Sequence, residues 1–514
     1  MRRKNKLLVA SIVSMILIGL GIFGMANEPR YGGTLRVAVN EDPGTLDGQI
    51  GTSMTVTGVS LHIYETLFAY DYGYTPIPCL VESVDKKSDG LEVTLHLRQG
   101  VLFHNGEELD SGDVVASLHR WGEFGSHGPT LFEYVEDVVA VDEYTVLLTF
   151  NEPFGALESM LAYPNGGAFI YLQEVAETAG GKPISPEQAI GTGPYMLDEW
   201  MPGKQLKMVK FEEHHGDPAG IGIGYLDEIV YVPVGEAQTR VSGLLTGEFG
   251  HIMYTPADYL PQLREDERVK VLDYGYWFNA LMMNTQEGLM SNTKMRQAMQ
   301  AALDMEPILM AGWPGIYELE GTLAVPGSLW YTTAGTERYN QGNPEKAMEL
   351  AKEAGYSGEA IRFICSGTSE TYYNGGLVIT DQLRRAGFNV ALQLYDWPSI
   401  MSRRNDPALW DMFYTSHTVK PDPIFMAENT PYYPCWWSDP RAVSLTDELK
   451  TTVGFENRYP LWEQLHRLYY EEAPWVKTGS FRSMITTSNN VMGFEEPRYP
   501  PFTDIFTYVW LAEE

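Results

Sequence analysis

The chain has 514 residues, which favours two or more domains because single hydrophobic cores stop growing well below this length. Its 44% hydrophobic and 20% charged residues are typical of a folded globular protein and argue against disorder. The formal net charge of −32 argues against binding to nucleic acid or to an anionic membrane, and favours a soluble protein that repels its own copies and stays monomeric.

The N-terminus has the layout of a secretory signal peptide. A basic segment, MRRKNK, precedes the apolar run from Leu7 to Phe23, and Gly24 and Ala26 are the small residues before a cut at Asn27. The alternative is a retained anchor, because the apolar run reaches the lower limit of membrane-spanning length. We expect removal of residues 1–26 and export of the remaining chain, which has no later segment that is long and apolar enough to cross a bilayer.

The first part of the exported chain is predicted to be rich in strands. The segments from Tyr31 to Val39, Leu91 to Leu97 and Glu143 to Phe150 place apolar side chains at alternate positions, as strands with one buried face do. This pattern predicts a β-rich beginning for the fold.

The stretch from Leu97 to Trp121 contains two histidines and four carboxylates, which could suggest a metal site or acid–base chemistry. The carboxylates do not follow the ligand spacing of a calcium loop, and no partner stands at a zinc spacing. We interpret the stretch as a strand end, a turn around Gly106 and a helix that Ser111 caps, with Asp113 in the first turn.

After Trp277 the pattern changes to alternating strands and helices. An apolar strand is predicted from Phe278 to Asn284, followed by a helix in which Met295, Ala298, Met299, Ala302 and Leu303 recur at helical spacing. A further helix is predicted between an Asn343 cap and Gly355. The segments 360–367, 376–387 and 388–397 read as strand, helix and strand, which predicts a βαβ unit with parallel strands. The sequence therefore indicates a β-rich lobe followed by an α/β lobe, with a ligand cleft between them.

The sequence lacks the common nucleophile, zinc-protease and phosphate-loop motifs, so we expect no enzyme and no cofactor. His214 and His215 are adjacent, a poor arrangement for two ligands of one metal on a regular element, and we interpret them as part of a solvated loop. The glycines of the segment 220–224 are interpreted as a surface turn. Three cysteines allow at most one bridge, and buried thiols are expected; they are Cys79, Cys365 and Cys435.

The stretch from Leu97 to Trp121 also resembles the central motif of the family 5 extracellular solute-binding proteins of ABC importers. The residues that carry the likeness are Leu97, Arg98, Gly100, Phe103, His104, Gly106, Asp113 and Val114. Three later segments are similar to family landmarks in the same order: Gly191 to Tyr195, Met295 to Ile308 and Ala408 to Pro423. The likeness extends from about Tyr31 to the C-terminus.

This resemblance implies an α/β, two-lobed periplasmic binding protein-like fold of type II, with an extra subdomain at about 55–190. Lobe I would comprise 27–282 and the return segment 477–514, and lobe II would comprise 283–476. The family implies a periplasmic or otherwise exported receptor that captures a peptide-like or other mid-sized organic solute and delivers it to the permease subunits of an ABC transporter. The alternatives are a subunit that presents ligand to a membrane sensor, and an exported hydrolase.

The resemblance also implies where the ligand binds. In peptide-binding relatives an aromatic residue of the second lobe stacks near the ligand, and this position corresponds to Trp397, while a cleft arginine corresponds to Arg404. The other candidates are polar residues of the predicted cleft strand and aromatic residues of segments that border the cleft. They are Thr415, Ser416, His417, Tyr276, Trp277, Trp121, Trp436 and Trp437, to which Phe124 can be added. The alternative for each aromatic residue is packing in a core or between lobes.

One departure from the peptide-binding pattern concerns the ligand's ammonium group. Relatives hold it with an aspartate, but Thr418, Val419 and Lys420 stand at the corresponding positions, and the segment from Gly48 to Ser53 also lacks an acid. Leaving a buried ammonium without a counter-charge costs several kcal/mol. The sequence therefore predicts a neutral or differently charged solute.

Overall fold

The structure, a computed structural model, describes residues 28–220, 222–494 and 503–513. The predicted signal peptide at 1–26 lies outside the described residues. Within the described part, no helix combines the length and the apolar character needed to cross a membrane.

The strands of the described chain follow one another in groups in its first half and are mostly separated by helices in its second half. In chain order the strands are β1 (Thr34–Val39), β2 (Phe68–Tyr70), β3 (Pro76–Pro78), β4 (Val81–Lys86), β5 (Glu92–Leu97), β6 (Val135–Asp142), β7 (Thr145–Phe150), β8 (Tyr195–Met201), β9 (Gln205–Lys210), β10 (Glu228–Pro233), β11 (His251–Ile252), β12 (Val269–Met283), β13 (Tyr317–Glu318), β14 (Ile361–Ser366), β15 (Val390–Tyr395), β16 (Met412–Thr418), β17 (Trp475–Ser488), β18 (Val491–Met492) and β19 (Trp510–Leu511).

The α-helices range from single turns to a long helix near the C-terminus. They are α1 (Met54–Ile63), α2 (Ser111–Phe124), α3 (Gly128–Phe132), α4 (Leu157–Ala162), α5 (Gln173–Ala179), α6 (Ala237–Thr246), α7 (Leu260–Arg264), α8 (Thr293–Ala302), α9 (Met305–Gly312), α10 (Pro344–Glu353), α11 (Glu370–Arg385), α12 (Trp397–Arg403), α13 (Pro440–Thr451) and α14 (Phe455–Glu472).

One large mixed sheet runs through the molecule in the order β15-β14-β16-β12-β17-β11-β1-β10-β9-β8, with β13 beside β17. Strands β14 to β16 pair in parallel at one end, and β1, β10 and β11 pair in parallel further along. The long antiparallel pair β12–β17 joins these two groups. We call the part around β1 and β8–β11 the first lobe and the part around β14–β16 the second lobe.

The first lobe carries a separate four-stranded antiparallel sheet of order β4-β5-β7-β6, which lies within the predicted subdomain. It has its own core, in which alternate residues of β5 (Val93, Leu95 and Leu97) pack with Val114 and Leu118 of α2. The alternation seen in the sequence is therefore the buried face of this sheet. The predicted domain limits at 282/283 and 476/477 stay a prediction.

Two cores lie on opposite faces of the sheet in the second lobe. Leu281 and Met283 of β12 pack in one core, and Phe278, Ala280 and Met282 pack in the other. A strand that is buried on both faces has no polar positions to alternate with, which explains the continuous apolar run after Trp277. The predicted βαβ unit is confirmed, because β14 and β15 pair in parallel on either side of α11.

The predicted strand, turn and helix between Leu97 and Trp121 are confirmed, with a positive φ of 86° at Gly106. The predicted cap is wrong. Asp110, not Ser111, caps α2 by accepting from the backbone N–H groups of Gly112 and Asp113, and the Asp113 side chain accepts from Asp110 N. The carboxylates of this stretch therefore start a helix.

The expectation for the three cysteines is confirmed, since Cys79, Cys365 and Cys435 are all buried and free. The interpretation of the segment 220–224 as a surface turn is wrong, because Gly222 and Gly224 are buried. A Cβ on Gly222 would come within 2.4 Å of the Thr507 carbonyl carbon, so the close approach of two backbones requires glycine there.

The prediction of a solvated loop at His214 and His215 is also wrong. Their side chains are only 5% and 7% exposed, and both face the buried carboxylate of Glu65. Sequence reasoning missed this arrangement because the partner stands about 150 positions earlier in the chain.

Candidate functional site

Trp397 is the first residue of helix α12. The sequence pattern had predicted it as the last residue of a strand, and this prediction is wrong. Asp396 caps the helix by accepting from Ser399 N at 2.8 Å, and Pro398 follows Trp397 in the first turn. The half-buried indole of Trp397 stacks on the ring of Tyr372, with centroids 5.3 Å apart and planes 11° from parallel. Together the two rings form a flat aromatic pair between α11 and α12.

A chain of hydrogen bonds leads from this aromatic pair to the central sheet. The Tyr372 hydroxyl donates to Ser416 Oγ at 3.0 Å, and Ser416 Oγ donates to Asn279 Oδ1 at 2.6 Å. Asn279 and Ser416 are direct neighbours in the β12–β16 register, so the sheet fixes this contact. Thr415 precedes Ser416 on β16 and is buried. The amide nitrogen of Asn279 has no hydrogen-bond partner among the described residues.

A second network contains Arg404 and His417. Arg404 Nη1 donates to the Tyr433 hydroxyl at 3.0 Å, and its guanidinium carbon lies 5.4 Å from the centre of that ring. The Tyr433 hydroxyl is 3.5 Å from His417 Nε2, and His417 Nδ1 is 2.6 Å from Glu428 Oε1. Arg404 is thus held at the end of α12 by an aromatic contact and a hydrogen bond, and its Nε has no partner in the part of the chain that the structure describes.

Glu428 brings a negative charge to His417. Burial disfavours the ionised form, yet the charge and hydrogen bond of His417, with a contribution from Lys420, lower the pKa of Glu428 to about 2. Lys420 Nζ donates to Thr418 Oγ1 at 3.1 Å. The segment 418–420 contains no acid, but Glu428 places a buried carboxylate near Lys420, and this carboxylate is paired with His417.

The two predicted aromatic residues of β12 lie on the long β12–β17 pair that joins the two lobes. Trp277 is half-buried and stacks on Phe481 of β17 with 6.2 Å between centroids. Tyr276 is only 4% exposed, and its hydroxyl donates to Glu318 Oε2 at 2.9 Å. The Arg482 guanidinium lies 4.8 Å from the centre of the Tyr276 ring. Tyr276 is thus contacted at its hydroxyl and at one face of its ring, whereas part of the Trp277 side chain is exposed to solvent.

The other predicted tryptophans differ in position. Trp121 is fully buried in the core of the small sheet, and its indole N–H donates to the Gly166 carbonyl at 2.9 Å. Trp437 is buried in the second lobe. Trp436 is half-buried and stacks on Trp410 at 5.5 Å. Trp121 and Trp437 therefore present no ring face to solvent, and we leave both out of the site proposed below.

The structure thus connects Trp397 with Ser416 in one network and Arg404 with His417 in another, while Thr415 is only the chain neighbour of Ser416. Sequence reasoning missed Asn279, Tyr372, Tyr433 and Glu428, which link these residues. For Asn279 a signal existed, because it is the polar residue within the apolar run FNALMM. Tyr372, Tyr433 and Glu428 lie in segments without a periodic pattern that would set them apart.

The arrangement offers surfaces for binding an organic solute. The Trp397–Tyr372 pair can stack on flat or apolar groups, and within the described residues Arg404 and Asn279 carry nitrogen donors without partners. Glu428 Oε2 is a buried acceptor that has no hydrogen bond in the same part of the chain. Unmatched donors next to aromatic faces are typical of ligand pockets, in which a few polar groups fix the orientation of the ligand.

Comparison with known proteins identifies the family. The sequence profile of the bacterial extracellular solute-binding proteins, family 5 middle, matches residues 75–431, which is more than half of the chain. The chain is 29% identical to the probable peptide ABC transporter periplasmic-binding protein y4tO of Sinorhizobium fredii, over 83% of this chain and 85% of the relative. It is 26% identical to the glutathione-binding protein GsiB of Pectobacterium atrosepticum, over 89% of this chain and 90% of that protein.

Solved structures share the fold. The periplasmic binding protein DppA of Helicobacter pylori, in complex with the peptide STSA, superposes with a TM-score of 0.76 at 23% identity, covering 94% of this chain and 99% of that one. The two-lobed fold of type II expected from the sequence is confirmed. The chain belongs to the bacterial extracellular solute-binding proteins, family 5.

Proposed function

We propose that the protein captures a peptide-like solute outside the cytoplasm and delivers it to the permease of an ABC importer. The observation that carries the proposal is the family match together with the two networks of the second lobe, which present an aromatic pair and unpaired donors on neighbouring elements. The curated relatives named above are binding proteins for peptides and for glutathione. Peptide-like solutes carry the carbonyl and carboxylate oxygens that such donors recognise.

Within the site, we assign the aromatic contact to Trp397 and Tyr372. Arg404 holds an anionic or carbonyl oxygen of the ligand, because Nη1 is held by Tyr433 while Nε has no partner among the described residues. Asn279 donates to a second oxygen. Trp277 and Trp436 are further aromatic contacts. Ser416 holds Asn279 in place, and His417 lies beside Tyr433, which holds Arg404. Thr415 and Tyr276 border the site.

The state of Glu428 bears on how the ligand's amino group is held. Its Oε1 is engaged by His417 Nδ1, and the cationic Lys420 lies close enough to lower its pKa, so it is already held by groups of the protein itself. We therefore propose that recognition depends on the oxygens and side chains of the ligand more than on its amino end. Blocking the amino group of a peptide would then change its affinity only slightly.

The test is calorimetry with the untagged protein and two probes, reduced glutathione and the peptide Ser-Thr-Ser-Ala. We expect binding of at least one probe, and Trp397→Ala should weaken it about tenfold or more, equivalent to about 1.4 kcal/mol, without lowering the melting temperature. The matched control is Trp200→Ala, which removes a half-buried indole from β8 in the first lobe and should leave the affinity unchanged.

Two outcomes would contradict the proposal. If neither probe nor a mixed library of short peptides bound, the peptide-like class would be wrong. If Trp397→Ala bound as tightly as the unaltered protein, the assigned site would be wrong. Comparing an N-acetylated with a free-amino probe then tests the role of Glu428, because a large loss on acetylation would mean that the carboxylate holds the ammonium.

A further inference from the structure

A cluster of metal-ligating side chains lies in the first lobe, apart from the two networks of the second lobe. Glu65 follows helix α1, and His214 and His215 follow strand β9. One ligand atom from each residue can be chosen so that all three lie within 4.8 Å of one another. Glu65 Oε2 is 2.8 Å from His215 Nε2, and Glu65 Oε1 is 3.7 Å from His214 Nε2.

His214 is the informative member of this cluster. Its side chain is 5% exposed, and neither Nδ1 nor Nε2 has a hydrogen-bond partner in the described structure. Leaving a buried polar group without a partner costs about 1–3 kcal/mol, so most buried side-chain nitrogens in proteins are hydrogen-bonded or bind a metal. The ring of His214 lies 4.5 Å from that of His215 and beside the same carboxylate. A cation between the three side chains would satisfy His214.

We propose that Glu65, His214 and His215 form a binding site for a zinc-class divalent transition-metal ion. Two imidazoles and one carboxylate are a donor set that Zn²⁺ accepts in tetrahedral sites, with the fourth position left to water or another ligand. Hard cations such as Ca²⁺ and Mg²⁺ prefer sites built from oxygen alone, which this cluster does not provide.

One member of the cluster borders a recess that is open to solvent. His215 lines a surface recess of about 630 Å³, together with six other residues. These residues are Glu82, Arg98, Gln99, Val101, Asp217 and Pro218. The recess wall thus carries two carboxylates against one guanidinium, and this balance of charge favours the entry of a cation.

Cys79 supports the carboxylate of this cluster from the buried side. Its thiol donates a weak hydrogen bond to Glu65 Oε1 at 3.6 Å. Side chains that hold a metal-binding carboxylate or imidazole in place commonly change metal affinity 10- to 100-fold when they are removed. Cys79 is therefore a positioning residue, and the three ligands are Glu65, His214 and His215.

The ion would connect two segments that are distant in the sequence, because Glu65 lies between α1 and β2 while the histidines begin the loop after β9. The site is separate from the solute-binding networks, whose residues lie on β12, β16, α11 and α12. We infer that metal binding stabilises the first lobe and leaves the solute site unchanged.

The test is a zinc titration of the chelator-treated, untagged protein, followed by native mass spectrometry and calorimetry. We expect one zinc ion per chain, and His214→Leu and Glu65→Gln should each weaken binding at least about 10-fold, the lower end of the effect of a supporting residue. Cobalt(II) substitution adds a readout that does not depend on stability. The visible absorption of a four-coordinate site should be present in the unaltered protein and lost in His214→Leu.

Two histidine variants serve as matched controls. His96→Gln alters an exposed histidine that pairs with Asp85 at 3.0 Å, and His417→Gln alters the histidine of the second lobe. Both should retain one zinc ion and the cobalt spectrum. If the unaltered protein bound no zinc, or if His417→Gln abolished binding while His214→Leu did not, the proposed site would be wrong. The variant His214→Leu is expected to fold, because Glu65 keeps His215 as its partner.

Discussion

Each lobe buries a glutamate against histidine, and the two arrangements differ in how completely their polar atoms are paired. In the second lobe, His417 contacts Glu428 through Nδ1 and lies near the Tyr433 hydroxyl through Nε2. In the first lobe, His214 lies beside Glu65, and neither of its ring nitrogens has a hydrogen bond within the described residues. His417 therefore has a polar neighbour at both ring nitrogens, whereas His214 is hydrogen-bonded at neither.

Two other buried carboxylates are paired with arginine instead of histidine. Asp47 pairs with Arg120 in the first lobe, and Asp422 pairs with Arg458 in the second lobe, with all four side chains no more than 4% exposed. Arg458 donates to both Asp422 oxygens at 2.8 Å. Because guanidinium always keeps its charge, these pairs are permanent parts of the structure, whereas an imidazole can exchange a proton for a metal or lose its charge.

The largest effect is expected from breaking one of the arginine pairs. Arg458→Met leaves the Asp422 charge buried without a partner, so we expect the free energy of unfolding to fall by about 3–5 kcal/mol. Urea unfolding at neutral pH measures this loss. Arg441→Met, which removes a mostly exposed arginine paired with Asp439 and Glu472, should cost less than about 1 kcal/mol. Equal losses in the two variants would contradict the distinction.

A smaller effect should separate the two histidine clusters. His417→Leu removes the partner of Glu428 and should lower the free energy of unfolding by about 1–3 kcal/mol. In metal-free protein, His214→Leu removes a buried imidazole that has no hydrogen bond among the described residues, so the free energy of unfolding should stay the same or rise. Thermal or urea unfolding of both variants in the presence of chelator makes the comparison. A larger loss in His214→Leu than in His417→Leu would overturn it.

The smallest effect is expected in the dependence of stability on acidic pH. Because the folded pKa of Glu428 is about 2 and its ordinary value is 4.5, its contribution to stability is fully present above about pH 4.5 and is lost as the pH falls toward 2. The glutamine of Glu428→Gln does not titrate, so the stability of this variant should depend less on pH in that window. Urea midpoints measured at several pH values between 5 and 3 test this, with Glu456→Gln, an exposed substitution on α14, as the control. An unchanged slope in Glu428→Gln would show that the carboxylate contributes nothing there.

The secondary structure of the second lobe was predictable from local patterns. The Asn343 cap, the apolar spacing of α8 and the strand–helix–strand unit around α11 each depend on residues within a few positions of one another. The misplaced cap of α2 and the start of α12 at Trp397 show the limit of the method. Several residues near a helix start can act as the cap, and only the backbone conformation selects among them.

The candidate site was predicted only in part, for a different reason. Trp397, Arg404 and His417 could be named from a resemblance, whereas the contacts that hold them come from Tyr372, Tyr433 and Glu428. These partners are 11 to 29 positions away and belong to other elements. No pattern in a single sequence records which side chains meet when such elements pack.

The sequence by itself determined the family and the alternation of strands and helices, because periodicity, caps and short motifs are written in neighbouring residues. Tertiary structure decided which polar groups are buried and what they meet. Folding placed Glu65 beside two histidines that the sequence had assigned to solvent, and brought Glu428 to His417 where no acid was expected. The physical reason is that the cost of burying a charge depends on its neighbours in space, and those neighbours are fixed only when the sheet and its helices have packed.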